Sequence, residues 1–250
     1  MIEPRVPPID FVPTLPVLLR RAVEKFGDSD FLVMPDTRLT FRDADRLSAV
    51  FASRLLAAGA GKGTRVGIAL PTGVDWVVAW LAVARVGCVP MLFPATYRPA
   101  ELRRSLRFGD VAILVTTPSM LGRDHEGFLE RAIPSLASHS AVTPLRDVEV
   151  PHLRSVWLTG ASDKLWAHRV EYDGPVPGDI TRSFLESIEA EVVPADPLLV
   201  VYTSGSSADP KAVVHTHGAA IRKIQPELGV CQPGSLPGPT FCAMPFFWVG

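Results

Sequence analysis

The feature that most constrains this chain is an alternation of short apolar runs with amphipathic helical segments between residues 65 and 116. Residues 65–70, 88–93 and 111–116 are nearly continuous apolar runs, which are typical of strands buried on both faces. Segments 76–84 and 99–108 between them carry apolar side chains at helical spacing. The order β-α-β-α-β predicts the α/β class, with mostly parallel sheets flanked by helices and ligands at the carboxyl ends of the strands.

Two further helices are predicted ahead of this alternation. Residues 15–26 carry apolar side chains on one helical face, and a glycine follows as a stop. A second helix follows residues 40–43, which have the composition of a capping box, and residues 72–75 repeat that pattern before the next helix. The short apolar run 31–34 favours a strand edge.

The second half of the chain has a looser pattern. One clear strand is predicted at 154–159, and the composition shifts at 193–197 before a strongly apolar strand over 198–202. We therefore predict an N-terminal α/β sub-domain over 1–192 and the start of a second α/β sub-domain over 193–250.

Charge and hydropathy exclude several classes of protein. Lys and Arg number 25 against 26 Asp and Glu, so no net field favours nucleic acid. The first ten residues lack the apolar core of a secretory signal. The most apolar stretch, 76–93, is interrupted by Arg85, Gly87 and Pro90, which does not fit a membrane-spanning helix. We expect a cytoplasmic protein without a transmembrane segment.

The three cysteines do not predict a disulfide framework. Cys88, Cys231 and Cys242 are odd in number and lack metal-ligand spacing. We expect buried free thiols in a reducing compartment.

Residues 203–211 are the most informative segment, because small hydroxyl residues surround Gly205 and Lys211 ends the run. Hydroxyls and unobstructed backbone N–H groups donate to phosphate oxygens, and a lysine adds a compact positive charge. A Walker A loop is disfavoured, since Pro210 replaces its second glycine and Ala212 follows the lysine. From composition alone, a phosphate-binding loop and an ordinary polar turn after a strand stay equally open.

A family resemblance favours the phosphate-binding loop. Residues 202–211 read Tyr-Thr-Ser-Gly-Ser-Ser-Ala-Asp-Pro-Lys, and Thr216-His217-Gly218 follows. This pattern resembles the signature loop of the adenylate-forming superfamily, which includes acyl-CoA synthetases, luciferases and peptide-synthetase adenylation domains. That loop usually reads YTSGSTG-x-PKG-V, so Ala208 and Ala212 stand where glycines are usual. We expect a stiffer loop, because alanine restricts the backbone angles that glycine allows.

The resemblance covers about residues 12–250 and implies a two-step reaction. A carboxylic acid attacks the α-phosphate of ATP to give an acyl-adenylate and pyrophosphate, and a thiol, usually coenzyme A, then takes the acyl group. ATP, Mg²⁺ and coenzyme A are the implied cofactors, and no residue of this chain is assigned as catalytic. The implied ligands of the ATP phosphates are Thr203, Ser204, Gly205, Ser206, Ser207 and Lys211, with Thr203 also a candidate ligand of Mg²⁺.

The end of the chain resembles the segment that borders the acid pocket in acyl- and aryl-CoA ligases. That segment often reads P-L-F-H-x-x-G, and here Trp248 stands in place of the histidine, next to Phe247. Residues 241–250 contain no acidic side chain that could pair with the ammonium group of an amino acid. Phe247 and Trp248 are therefore candidate contacts to an apolar acid, such as a fatty acid, which would place the protein in lipid metabolism.

Alternatives stay open for the chain as a whole. Its 250 residues are about half the length usual in the family, so we expect that it does not complete turnover alone. A C-terminal half could come from the rest of the gene or from another chain. The chain could also be an inactive remnant, a binding module, or an adenylation domain that loads an acid onto a carrier protein.

Several other residues invite a functional role but favour a structural one. His215 and His217 are expected to end a strand and begin the next helix rather than to bind metal or act as bases. Trp76 and Trp80 share one helical face and are expected in the core. Three arginines of one predicted helix, Arg103, Arg104 and Arg107, are expected to form a solvated helix face.

Overall fold

The computed structural model describes residues 9–170, 172, 174, 180–203, 211–229 and 240–248, without the side chains of 203 and 225–229. Its helices are α1 (Leu15–Phe26), α2 (Phe41–Ala57), α3 (Val74–Arg85), α4 (Pro99–Phe108), α5 (His125–Ala132), α6 (Arg182–Ala190) and α7 (His217–Gly229), with a 3₁₀ helix at Pro134–Ser138. Its strands are β1 (Asp30–Met34), β2 (Thr37–Thr40), β3 (Arg65–Ile68), β4 (Val89–Leu92), β5 (Ile113–Thr116), β6 (Ser119–Met120), β7 (Arg123–Asp124), β8 (Ser155–Leu158), β9 (Ala167–Arg169), β10 (Pro197–Thr203) and β11 (Lys211–Thr216).

Within the described ranges, seven strands form one sheet in the order β11-β10-β4-β3-β5-β8-β9. All neighbouring pairs are parallel except β10 and β11, which are antiparallel. The register is set by pairs such as Val66 with Ile113 and Val200 with Met91. The predicted α/β class, a mostly parallel sheet flanked by helices, is confirmed.

Alternate side chains of the central strands enter two apolar clusters. In β5, Ile113 and Val115 belong to the cluster that contains α2 and α3, whereas Leu114 belongs to the cluster that contains α4 and α5. This alternation follows from the two-residue period of a strand. Gly67 makes room for the second cluster, because a Cβ there would lie 2.6 Å from the ring of Phe93. The central strands are therefore buried on both faces.

Local signals explain where the helices start and stop. The predicted helix 15–26 is confirmed without change of bounds, and α2 begins where the Asp43 backbone N–H donates to Thr40 Oγ1 at 3.0 Å. The capping box predicted at 72–75 is wrong, since the residue before α3 is Gly73 and no side chain caps the helix. None of the described helices has both the length and the apolar character needed to cross a membrane.

A buried ion-pair network joins three helices. The Arg85 guanidinium, only 3% exposed, lies 2.6 Å from the carboxylate of Glu189 in α6 and 2.8 Å from that of Asp45 in α2. It also donates to Ser48 Oγ at 2.8 Å. These contacts satisfy a charge that would otherwise be costly to bury.

The cysteines differ from the prediction. Cys88 is buried as expected, and burial raises the pKa of its thiol to about 12. The prediction of burial is wrong for Cys242, which lies in an exposed stretch over residues 240–244. Cys231 lies outside the described residues.

The strand that follows the predicted sub-domain boundary at residue 193 pairs with the same sheet as the N-terminal strands. In β10, Val200 and Val201 are register partners of Met91 and Leu92 in β4. The boundary itself stays a prediction. The pairing places the end of β10 at the carboxyl edge of the parallel sheet, where ligands of α/β proteins bind.

Candidate functional site

The candidate phosphate-binding loop is bounded by two strands that face each other. Thr203, the last residue of β10, is the cross-strand partner of Lys211, the first residue of β11. The antiparallel pairing therefore brings these two predicted phosphate ligands together at one end of the sheet. The side chain of Thr203, the candidate ligand of Mg²⁺, lies outside the described part of the chain. The remaining predicted phosphate ligands also lie outside it, and these are Ser204, Gly205, Ser206 and Ser207.

The two alanines of the loop motif differ in what the structure describes. Ala212 is the register partner of Tyr202 within β11, so its backbone is part of a regular strand, which any residue adopts. A glycine at this position would therefore add freedom only if β11 opened. Ala208 lies outside the described residues, and the prediction of a stiffer loop stays a prediction.

Tyr202 fixes the end of β10 against the body of the sheet domain. Its ring stacks on Phe93 with 5.8 Å between centroids, and its hydroxyl lies 3.5 Å from the carbonyl oxygen of Ser105. Burial raises the pKa of Tyr202 to about 12, so the hydroxyl stays protonated at neutral pH. A Cβ at Gly109 would lie 2.6 Å from that hydroxyl oxygen, which leaves little room for a larger residue there. Sequence periodicity gives no signal for this contact.

The candidate acid-pocket segment docks at the start of α3. The backbone N–H of Phe246 donates to Thr72 Oγ1 at 3.3 Å, and the Phe246 ring meets Trp76 edge-on with 5.4 Å between centroids. Phe247 is half-buried and packs against the same apolar cluster, whereas Trp248 is 59% exposed. The structure thus gives the two predicted acid-pocket residues different environments.

Trp76 and Trp80 extend this aromatic surface into the core. Their rings stack with 6.2 Å between centroids, and Trp76 is buried, as predicted from its position on the helix. Among the described residues, neither indole N–H has a hydrogen-bond acceptor. Phe246 therefore continues a row of aromatic rings from the core towards the surface.

The predicted roles of the two histidines as ends of elements are confirmed, with one addition. His215 lies in β11 and His217 is the first residue of α7. His217 is fully buried, and its Nδ1 accepts a hydrogen bond of 3.0 Å from the backbone N–H of Leu15. This contact joins residues 202 positions apart, and no local sequence pattern could have predicted it.

The described residues were also compared with the usual sets of metal ligands. No group of three or more His, Cys, Asp or Glu side chains is placed among them to hold an ion. A Mg²⁺ ion that accompanies ATP would take hydroxyl and phosphate oxygens instead, which suits a hard cation.

The described part of the chain has the same fold as several solved enzymes, and the sequence matches one protein family. Acetoacetyl-CoA Synthetase from Streptomyces lividans superimposes with a TM-score of 0.62 and 23% sequence identity, over 86% of this chain and 32% of that one. The chain belongs to the family of AMP-binding enzymes, which matches residues 19–250.

Curated relatives agree with this assignment. Acyl-CoA ligase sidI of Aspergillus fumigatus is 31% identical over 206 residues, which are 82% of this chain and 33% of the relative. Acetyl-coenzyme A synthetase of Desulfatibacillum aliphaticivorans is 30% identical over 210 residues, which are 81% of this chain and 31% of the relative. The chain therefore spans about a third of the length of these relatives.

Proposed function

We propose that this protein takes part in the ATP-dependent activation of a carboxylic acid to an acyl-adenylate, followed by transfer of the acyl group to coenzyme A. The observation that carries the proposal is the cross-strand pair of Thr203 and Lys211 at the two ends of a hydroxyl-rich loop. The pair lies at the carboxyl edge of the sheet, in a chain that belongs to the AMP-binding enzyme family. Membership of this family supports adenylation chemistry in general.

The residues at this edge suit the binding of polyphosphate. Lys211 has an exposed side chain at the start of β11, and a lysine there supplies a positive charge opposite anionic oxygens. The sequence between Thr203 and Lys211 contains three serines and a glycine, residue types that supply hydroxyl and backbone donors to phosphate. When a carboxylate attacks the α-phosphorus and pyrophosphate leaves, negative charge moves onto the leaving oxygens, so fixed donors at this position stabilise the transition state.

We propose further that the acid has an apolar tail. Phe246 and Phe247 pack on the apolar cluster of the sheet domain, and residues 241–248 contain no acidic side chain. An ammonium group buried beside these rings would find no counter-charge within residues 241–248, and burying an unpaired charge is costly. Fatty acids are therefore the first substrates to test, ahead of amino acids.

The test is an exchange of radiolabelled pyrophosphate into ATP, measured on the full-length protein with a panel of fatty, aryl and amino acids. The Lys211→Ala variant removes the proposed charge, and we expect exchange to fall by about 100-fold, as for the loss of one transition-state donor. Lys223→Ala removes an exposed lysine of α7 and serves as the matched control. Equal rates in both variants would remove the phosphate role of Lys211.

A further inference from the structure

The base of the β10–β11 hairpin is built around one buried histidine. The backbone N–H of His217 donates to the carbonyl oxygen of Asp196 at 3.0 Å, just before β10 begins. The next amide, that of Gly218, donates to the carbonyl oxygen of Pro194 at 2.8 Å. The His217 ring, fully buried, accepts the N–H of Leu15 on Nδ1. Three separate parts of the chain therefore meet at this residue.

We propose that His217 is a positioning residue, which tethers the base of the β10–β11 hairpin to the first turn of α1 and so fixes where the backbones of Thr203 and Lys211 lie. The catalytic consequence of this tether rests on the adenylation function proposed above. The tether itself rests only on described contacts.

The hydrogen bond from Leu15 indicates the protonation state of the His217 ring. Nδ1 accepts only when it carries no proton, so the ring is neutral with its proton on Nε2. Burial lowers the pKa of His217 to about 4, although the nearby carboxylate of Asp196 opposes this effect. The ring is therefore a neutral hydrogen-bond acceptor at pH 7, and it is fully buried.

The amide that His217 accepts has no partner within its own helix. Leu15 is the first residue of α1, and the first four N–H groups of an α-helix lack intrahelical acceptors. Thr14, which precedes it, provides no side-chain cap. The imidazole therefore supplies an acceptor for this first helical N–H from a residue 202 positions along the chain.

The turn before β10 is also fixed from its other side. Lys62 Nζ lies 2.8 Å from the Asp196 carboxylate and donates to the carbonyl oxygen of Glu191 at 2.9 Å. A Cβ at Gly218 would lie 3.0 Å from Pro194 Cβ, so the start of α7 is already in close contact with this turn. His217 adds the link that joins this unit to α1.

A small tilt of β10 at this base displaces its far end, at Thr203, by a larger distance. β10 has seven residues, and at about 3.3 Å per residue its length is about 20 Å. A tilt of about 5° at the base would move the far end by about 2 Å by simple geometry, and a misplacement of about 1 Å can lower a rate about 100-fold. A residue far from the chemistry can therefore control it.

Two substitutions of similar polarity separate the tether from simple burial. In His217→Asn the amide oxygen can take the place of Nδ1, whereas in His217→Gln it lies nearer the place of Nε2. We expect Asn to keep the Leu15 amide protected from hydrogen exchange and pyrophosphate exchange within about 3-fold of the parent. We expect Gln to speed Leu15 exchange at least 10-fold and to lower kcat at least 10-fold, with the KM for the acid unchanged.

Hydrogen exchange at Leu15 tests the tether, and pyrophosphate exchange tests the positioning role, so each can be contradicted without the other. Leu15 protection that is the same in the parent, Asn and Gln proteins would overturn the tether, whatever the activity shows. Loss of protection in Gln with full pyrophosphate exchange would overturn the positioning role. A parent protein without pyrophosphate exchange would contradict the proposed function, and hydrogen exchange at Leu15 would still decide the tether. If Asn and Gln both unfold, the absence of a difference between them also counts against the Nδ1 assignment.

Discussion

Strands β5 and β11 belong to the same sheet but have opposite surroundings. All four residues of β5 are buried between β3 and β8, while the first four residues of β11 are exposed at the sheet edge. Buried apolar area is the main source of folding free energy. The comparison indicates that the central strands, and β10 with its buried Leu198 and Val200, stabilise the domain by apolar burial. The exposed strand β11 carries part of the candidate site and depends on its pairing with β10 and on a few specific contacts.

Those specific contacts hold the hairpin at both of its ends. At the loop end, Tyr202 stacks on Phe93. At the base, His217 accepts from Leu15. The central strands do not depend on single contacts of this kind, because many apolar contacts hold each of them in place. Substitutions in the central strands should therefore lower the free energy of unfolding, whereas substitutions at these hairpin contacts should shift the position of the hairpin.

The largest effect is expected from the buried charge network of the central body. Arg85→Ala would remove the buried guanidinium from the Glu189 carboxylate, which is 4% exposed, and would leave it only the Arg20 guanidinium at 3.6 Å, which is 54% exposed. Breaking a buried pair in this way costs about 3–5 kcal/mol of unfolding free energy. Arg38→Ala is the matched control, since Arg38 pairs with Asp30 at the surface and its loss should cost at most about 1 kcal/mol. Urea unfolding measures both, and equal losses would contradict a central role for Arg85.

The dependence of stability on pH should come next in size. Burial lowers the pKa of both His217, at the hairpin base, and His125, in α5, to about 4. An unfolded histidine has a pKa of about 6.5, so the unfolded state binds more protons between these values. The contribution is present above pH 6.5 and is lost as the pH falls towards 4, by up to about 3 kcal/mol for each histidine.

Urea unfolding at several pH values between 7 and 4 checks this expectation. His217→Asn and His125→Gln should each flatten the curve by a similar amount, because each removes one group that titrates in this window. The carboxylates with lowered pKa values, such as Asp147 and Asp196, lose their contribution below pH 4 and so fall outside it. An unchanged curve in either variant would show that its histidine is protonated equally in both states.

The same contrast explains how much of the molecule could be predicted. Helices α1 and α4 and the parallel order of the strands follow from apolar spacing and from Gly and Pro stops, which act within a few residues. The prediction of a capping box at 72–75 is wrong because the residue before α3 is Gly73, which has no side chain that could accept a hydrogen bond. Local signals were therefore strongest where the sheet is most buried.

The candidate site depended on contacts that no short window contains. The loop motif and Lys211 were predicted from composition and family resemblance, and the structure adds that Lys211 pairs with Thr203. The Leu15–His217 hydrogen bond joins residues 202 positions apart, and Tyr202 meets Ser105 across 97 positions. Such contacts are set by the tertiary fold, so sequence reasoning could propose the ligands of the site but not the contacts that support it.

The smallest effect is expected from a matched pair of valines. Val66 in β3 is fully buried between Pro90 and Ile113, whereas Val214 in β11 is 54% exposed. Val66→Ala removes two buried methyl groups and leaves a cavity, which should cost about 2 kcal/mol of unfolding free energy. Val214→Ala should cost less than about 0.5 kcal/mol, as is usual for surface sites. Measuring both by urea unfolding at two protein concentrations sharpens the comparison, because a large loss in Val214→Ala that grows with concentration would mean that a second copy covers β11. A large loss that does not depend on concentration would mean instead that another part of the same chain covers it, and the contrast between centre and edge would then no longer hold.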